Sequence, residues 1–192
     1  MPDSTLHILA FAGSLRRGSY NRGLLRAAAA TLPPGVSMEI FDLSVVPPYN
    51  MDLEADNDTQ GVRDFKEAIR RADALLLAVP EHNYSFSGVM KNAIDWASRP
   101  FATSVLLDKP VAIMGASNGR MGTARAQHAI RPVLAATGCF VMIKPELFVS
   151  QAAKVCDQDG NVTDDDTKKR VRTIVGALVE WAHRMGVGGD RQ

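Results

Sequence analysis

The chain has 192 residues, long enough for one domain whose core buries roughly 70% of the unfolded chain's surface with no disulfide or metal staple. Apolar residues are 46%, charged residues are 22% and the net charge is +1, which excludes charge-driven binding to nucleic acid or to an anionic membrane. Two cysteines, Cys139 and Cys156, form no C-x-x-C pair and adjoin no histidine cluster, so neither a redox dithiol nor a zinc site is indicated and reduced thiols are expected.

From Met1 to Ala12 there is no basic n-region and no long apolar stretch, so no signal peptide is expected. No apolar run approaches the ~20 residues of a membrane helix. The expectation is a cytoplasmic protein with no membrane and no nucleic-acid partner. Leu6 to Ala12 is a short apolar run ending at Gly13 and reads as a buried strand. Gly23 to Thr31 reads as a helix closed by Pro33 and Pro34. Ser37 to Leu43 alternates, as a strand near an edge does, and Pro47 to Asn57 is turn-rich loop. Gly61 to Arg71 carries apolar residues at helical spacing. Ala74 to Val79 is a fully apolar strand stopped by Pro80. A helix over Val89 to Ser98 follows, then a strand over Val111 to Met114 ending at Gly115. Ala124 to Ala136 predicts a helix in which Pro132 makes a kink or a new turn. Phe140 to Ile143 predicts a fifth strand, resumed near Leu147 to Val149. Thr167 to Met185 is a long final helix, started by Asp164 to Asp166 where negative charge is favourable. The glycine-rich tail after it is expected to fray.

Strand and helix alternate five times across residues 1–192, with no repeat or linker dividing them. This pattern predicts a single α/β domain with a parallel sheet covered on both faces. In such sheets a ligand sits beyond the carboxyl ends of the strands, where strand order reverses. Three loops therefore matter: Gly13 to Asn21, Pro80 to Gly88, and Gly115 to Gly122.

The first loop, GSLRRGSYN, joins two glycines, two serines, an asparagine and two arginines at the start of a helix. Helix N-termini offer unpaired N–H groups and partial positive charge, so an anion is welcome there. Ser14, Ser19 and Asn21 add neutral donors and Arg16 a charged one, which suits a terminal phosphate. Serines and asparagines near a helix start are more often plain helix caps, and these residues also read that way. Neither G-x-G-x-x-G nor G-x-x-x-x-G-K-[ST] is present. In the second loop, PEHNYSFSG, backbone groups and Asn83 can meet the polar edge of a heteroaromatic ring, and Tyr84 or Phe86 can face it. The alternative is that Asn83 and Ser85 cap the next helix. The third loop, GASNGRMG, offers Ser117 and Asn118 to the same ring edge, or is only a tight turn. His82 can act on a proton beside a cleft or be a passive wall. His128 reads as an outward residue, and the Asp164 to Asp166 run lacks the partners of a metal site.

Three stretches resemble a known family, the NAD(P)H-dependent FMN reductases, with their bacterial quinone and chromate reductase and azoreductase relatives. They are Gly13 to Asn21; Pro80 to Ser85 with Gly88 to Pro100; and Gly115 to Ser117 with Gly122 to Gln127. The likeness runs from about Leu6 to Trp181. It implies a flavodoxin-like three-layer α/β/α sandwich with a five-stranded sheet in the order 2-1-3-4-5. It implies that Ser14, Arg16, Ser19 and Asn21 hold the FMN phosphate, with Tyr20 among the cofactor-binding residues. Pro80, Glu81, His82, Asn83 and Tyr84 would then line the isoalloxazine ring, with Ser117 reaching the flavin from the third loop. It also implies a homodimer or homotetramer in which Lys91, Asn92, Asp95 and Trp96 lie on a helix that builds the dimer. Trp96 reads either as interface or as core.

The family usually has Tyr where this chain has His82, and Pro where it has Ser87. Loss of the Pro is expected to loosen the second loop. The implied activity is transfer of a hydride from NADPH or NADH to bound FMN, and then of electrons to a small-molecule acceptor such as a quinone, free flavin, an azo compound or chromate. No side chain need act as catalytic acid or base, with His82 the one candidate. The rival reading is a flavodoxin-like electron carrier without NAD(P)H turnover. Such carriers are markedly acidic, and a net charge of +1 disfavours it.

Overall fold

Leu6–Ala12 forms strand β1, and its two faces pack into different layers. Leu9 and Phe11 join one hydrophobic cluster while Ile8, Ala10 and Ala12 join the other. The period-two alternation of a strand requires this, and burial on both faces explains why the run is apolar throughout. The computed structural model describes residues 6–54 and 59–186. The signal-peptide reading of the first five residues, the end of the turn-rich loop and the tail after Gly186 lie outside the described residues.

The order continues with α1 (Tyr20–Ala29), β2 (Val36–Phe41), α2 (Gln60–Arg71), β3 (Ala74–Ala78), β4 (Glu81–His82), β5 (Ser85–Phe86), α3 (Gly88–Ala97), β6 (Pro110–Ala116), α4 (Ala124–Ala136), β7 (Phe140–Val141), β8 (Leu147–Val149) and α5 (Asp165–Arg184). The main sheet runs β2-β1-β3-β6-β7, and β8 also pairs with β6. Every one of these pairings is parallel. The expected 2-1-3-4-5 order is present, with the fifth position filled by two short strands. β7 pairs with the start of β6 and β8 with its end, and residues 142–146 connect them, with Met142 buried in the core.

Helices α2, α3 and α4 cover one face, and α1 and α5 the other. Phe65 of α2 meets Phe11 edge-on, with ring centroids 5.2 Å apart. Each large side chain buried this way contributes about 1.5–3 kcal/mol. β2 is an edge strand, as its alternation predicts, and Ile40 on it is exposed. α4 runs through Pro132 as one helix on its exposed side, rather than starting a new element there.

α5 starts at Asp164, whose carboxylate accepts from the Thr167 N–H and hydroxyl, both at 2.7 Å. These bonds, the hydroxyl's first, hold its pKa below the usual aspartate value. Cys139 is buried and its thiol is pushed up to about 11 by that burial, which makes it inert at neutral pH.

Candidate functional site

Strand order reverses between β1 and β3, so the segments after these strands part and leave a crevice at their carboxyl ends. A cleft of about 160 Å³ lies there. Ser14, Arg16, Ser19, Tyr20 and Asn21 line it from the first loop, Pro80, Glu81 and His82 from the second, and Ala116, Ser117 and Asn118 from the third. Three loops separated by about a hundred residues of chain thus meet in one wall. Every residue expected at the site is in that wall except Asn83, Tyr84 and Phe86.

The first loop ends at Ser19, which is buried and caps α1: its Oγ accepts from the Arg22 N–H at 3.3 Å. The plain-cap reading of Ser19 is therefore correct for its oxygen, and its hydroxyl hydrogen is still available as a donor. Capping leaves the N–H groups of Tyr20 and Asn21 without helical partners. No acidic residue stands in the first turn of α1, so the helix field at the cleft is unopposed. Arg16 donates to the Gly18 carbonyl at 3.1 Å, and its guanidinium lies 5.9 Å from the centre of the Tyr20 ring. Arg22 turns the other way, to Asp42 at 3.5 Å. The Ser44 backbone N–H, with smaller help from Arg22, holds the Asp42 carboxyl below its ordinary range.

Asn21 differs from its expected role as a phosphate donor. Its side-chain amide donates to the Ala116 carbonyl and accepts from the Ala116 N–H, each at 3.0 Å. It is a buried clamp between the start of α1 and the end of β6, and what it gives the cleft is position and a backbone N–H.

The second loop is a small antiparallel hairpin, β4 and β5, which the sequence reading took for an irregular loop. Asn83 and Tyr84 form its tip, both with positive φ, the conformation that matches a two-residue hairpin turn. This placement carries Tyr84 outward, where it is 72% exposed. Asn83 and Ser85 do not cap α3. Ser87 does: its Oγ accepts from the Met90 N–H at 3.2 Å, and its hydroxyl donates to the Gly13 carbonyl at 2.7 Å. In the folded chain these two buried hydrogen bonds of Ser87 tie the second loop to the first. His82 lies opposite Ser85, exposed at the rim.

Arg125, in the first turn of α4, is the residue that sequence reading missed. Its backbone N–H donates to Glu81 Oε2 at 3.2 Å and its guanidinium to Oε1 at 2.9 Å. The same guanidinium lies 3.9 Å from the centre of the Tyr84 ring. The Glu81 side chain is only 12% exposed, so it is neither solvated nor free to bind a ring. Glu81 and Arg125 are 44 residues apart, and no local spacing joins them.

The third loop is held by its own chain. A Cβ at Gly115 would lie 2.1 Å from Thr123 Oγ1 and 2.5 Å from the Val79 carbonyl, so this glycine serves internal packing rather than a ligand. Asn118 Oδ1 accepts from the Ala153 N–H at 2.9 Å. The Ser117 backbone bonds Val149 and Ala152, which leaves its hydroxyl as the group it offers the cleft. On α3, Trp96 is fully buried and its indole N–H donates to the Pro47 carbonyl at 2.9 Å. Asn92 bonds the Pro47 carbonyl and the Tyr49 N–H. Trp96 is core, and both residues strap the segment after β2 onto α3.

The model of the NADPH-dependent FMN reductase family matches residues 6–154. The chain belongs to this family. It is 45% identical over 180 residues to an NAD(P)H-dependent FMN reductase of Pseudomonas aeruginosa, covering 94% of this chain and 97% of that protein. It is 40% identical to a 2-hydroxy-1,4-benzoquinone reductase of a Burkholderia species, covering 92% and 96%. The solved structure of FerB, a flavoenzyme NAD(P)H:(acceptor) oxidoreductase of Paracoccus denitrificans, superposes with a TM-score of 0.85 at 34% identity, covering 94% of this chain and 98% of that one. Membership makes this chain an oxidoreductase, an enzyme that pairs a flavin with a nicotinamide donor.

The residues present fit such a flavin. Unpaired N–H groups at an acid-free helix start, two serine hydroxyls and Arg16 suit a terminal phosphate. The cleft is smaller than the roughly 300–1,000 Å³ of an enclosing pocket. A cleft of this size would hold the phosphate end of a flavin rather than enclose the whole group. Among the described residues no helix is long and apolar enough to cross a membrane.

Proposed function

We propose that this chain is an FMN-dependent NAD(P)H oxidoreductase whose acceptor is a quinone. The single observation that carries the reading is the convergence of three β-strand loops in one cleft at the sheet's switch point, with the anion-binding end at α1 and a polar hairpin beside it. The benzoquinone reductase among the relatives supports the choice of acceptor.

When bound, FMN supplies two-electron transfer from NAD(P)H to the oxidised acceptor. The protein's own part is placement. Ser14, Arg16, Ser19 and the N–H groups of Tyr20 and Asn21 hold the phosphate. Pro80, Glu81 and His82 set the ring edge through their backbone, with the Ser117 hydroxyl opposite. Asn83 and Tyr84 keep the hairpin in shape from outside the cleft. No side chain acts as an obligatory acid or base. His82 stands at the open rim, where its imidazole can hold or release a proton beside an incoming acceptor.

We extend the reading to a single cytoplasmic domain over residues 1–192 that works as a homodimer or homotetramer. An apolar groove beside the cleft, between Leu15 of the first loop and Val89 of α3, supports a partner surface there. The test is anaerobic mixing of the FMN-loaded protein with NADPH or NADH, followed by addition of a soluble benzoquinone. Flavin bleaching and its reversal by the quinone are expected. Protein that stays colourless with added FMN would sink the proposal, and FMN-loaded protein that neither nicotinamide bleaches would mark an electron carrier. The same assay reads free flavin, azo compounds and chromate as acceptors.

A further inference from the structure

We propose that Arg125 is a positioning residue that sets the redox potential of the flavin by cancelling the charge of Glu81. The inference rests on the reading of the cleft as an FMN site.

Glu81 follows Pro80 directly from the end of β3 and lines the cleft between Pro80 and His82. Its carboxylate is largely sequestered from water. A lone negative charge so placed would oppose reduction of any ring beside it, because reduction adds negative charge to the same low-dielectric space. α4 answers that charge three times. The Arg125 guanidinium bonds one carboxylate oxygen at 2.9 Å and the Arg125 N–H bonds the other at 3.2 Å. The start of α4 adds the positive end of its helix field, with no acidic residue in its first turn.

Tyr84 completes the arrangement. Its ring packs on the guanidinium at 3.9 Å, so the hairpin tip holds the cation over the carboxylate. The hairpin has only four paired residues, too few to be rigid alone. Arg125 therefore does two things through Glu81: it fixes the backbone that meets the ring edge, and it leaves that edge close to neutral. The remaining charge on the cleft wall is Arg16, at the phosphate end.

The test measures the FMN midpoint potential and the affinities for oxidised and reduced FMN in wild type, Glu81→Gln, Arg125→Met and the double variant. Glu81→Gln keeps the shape and an acceptor for the Arg125 N–H while leaving the cation unopposed, so the potential is expected to rise. Arg125→Met is expected to lower it, with reduced FMN weakened about tenfold relative to oxidised, which is about 30 mV for a two-electron couple. The double variant is expected to return near wild type, because the net charge is restored. Should Arg125→Met fail to fold with Glu81 unpaired, Glu81→Gln still decides the matter. Equal weakening of both redox forms with an unmoved potential overturns the inference, since a purely structural latch would do that. Wild-type protein that binds no FMN overturns the function proposed above, and this inference with it.

Discussion

A buried amide that bonds both backbone groups of one residue is hard to replace, and Asn21 is such a group. Truncating it to Ala strands the N–H and the C=O of Ala116 in a buried place. Each orphaned group costs about 1–3 kcal/mol. Asn21→Ala is therefore expected to lose about 2–6 kcal/mol in urea unfolding of the FMN-free protein. A residue that served only as a phosphate donor would show no loss without ligand, so the ligand-free measurement separates the two roles. Residues whose work lies within their own loop were legible from sequence: Ser14, Arg16, Ser19 and Ser117 all line the cleft. Residues that work through distant partners were not. Asn21 bonds a residue 95 positions away and Glu81 one 44 away. Residue type signalled a polar group in each case, and only the fold says which partner takes it. Trp96 was open between interface and core for the same reason, because its partner at Pro47 lies on another element.

Elements with a long apolar period were readable, and those of two or three residues were not. β1, α2, β3 and α4 lie within a residue or two of their expected bounds, since each buries a continuous face. The β4–β5 hairpin escaped notice because its strands are two residues long and its turn is Asn-Tyr, which lacks the glycine of the usual signal. Helix α1 shows how local preference and packing can oppose each other. Gly23 lies in its middle, and by propensity alone Gly23→Ala would stabilise the helix by about 1 kcal/mol. A Cβ there would sit 1.7 Å from the Gly160 carbonyl oxygen, a backbone atom that cannot swing away. Gly23→Ala is thus expected to destabilise by at least about 2 kcal/mol, read as a lowered urea midpoint. At α5 the cap is ionic. Asp164 has its pKa depressed in the folded state, so it contributes stability above the unfolded aspartate value that disappears as pH falls through the folded one. Asp164→Asn keeps a capping side chain without that proton linkage. The gap in Tm between wild type and Asp164→Asn should be widest at neutral pH and close in acid; a gap constant down to the acid limit would contradict the linkage.

The two tryptophans happen to report opposite faces of the sheet, which allows the molecule to be tested as one unit. Trp96 lies in the layer with α2, α3 and α4, and Trp181 packs on the layer with α1 and α5. The cleft draws on loops that lead into both layers: the first enters α1, while the second and third enter α3 and α4. A ligand that ties these loops therefore stabilises both layers, provided the sheet couples them. FMN at a hundred times its Kd should add about 2.7 kcal/mol to unfolding, which for a chain of this size is a rise in Tm of about 5–10 °C. Arg16→Ala removes a charged donor worth about 1.5–3 kcal/mol and should shrink that rise by more than half at the same FMN concentration. Trp96→Phe and Trp181→Phe each leave one reporter, and each variant is compared with itself, with and without FMN. Coincident transitions, shifted together, are expected for one domain built on one sheet. If FMN moved the Trp96 transition and left the Trp181 transition in place, the layers would be uncoupled, and α5 would belong to a separate folding unit with no share in the site.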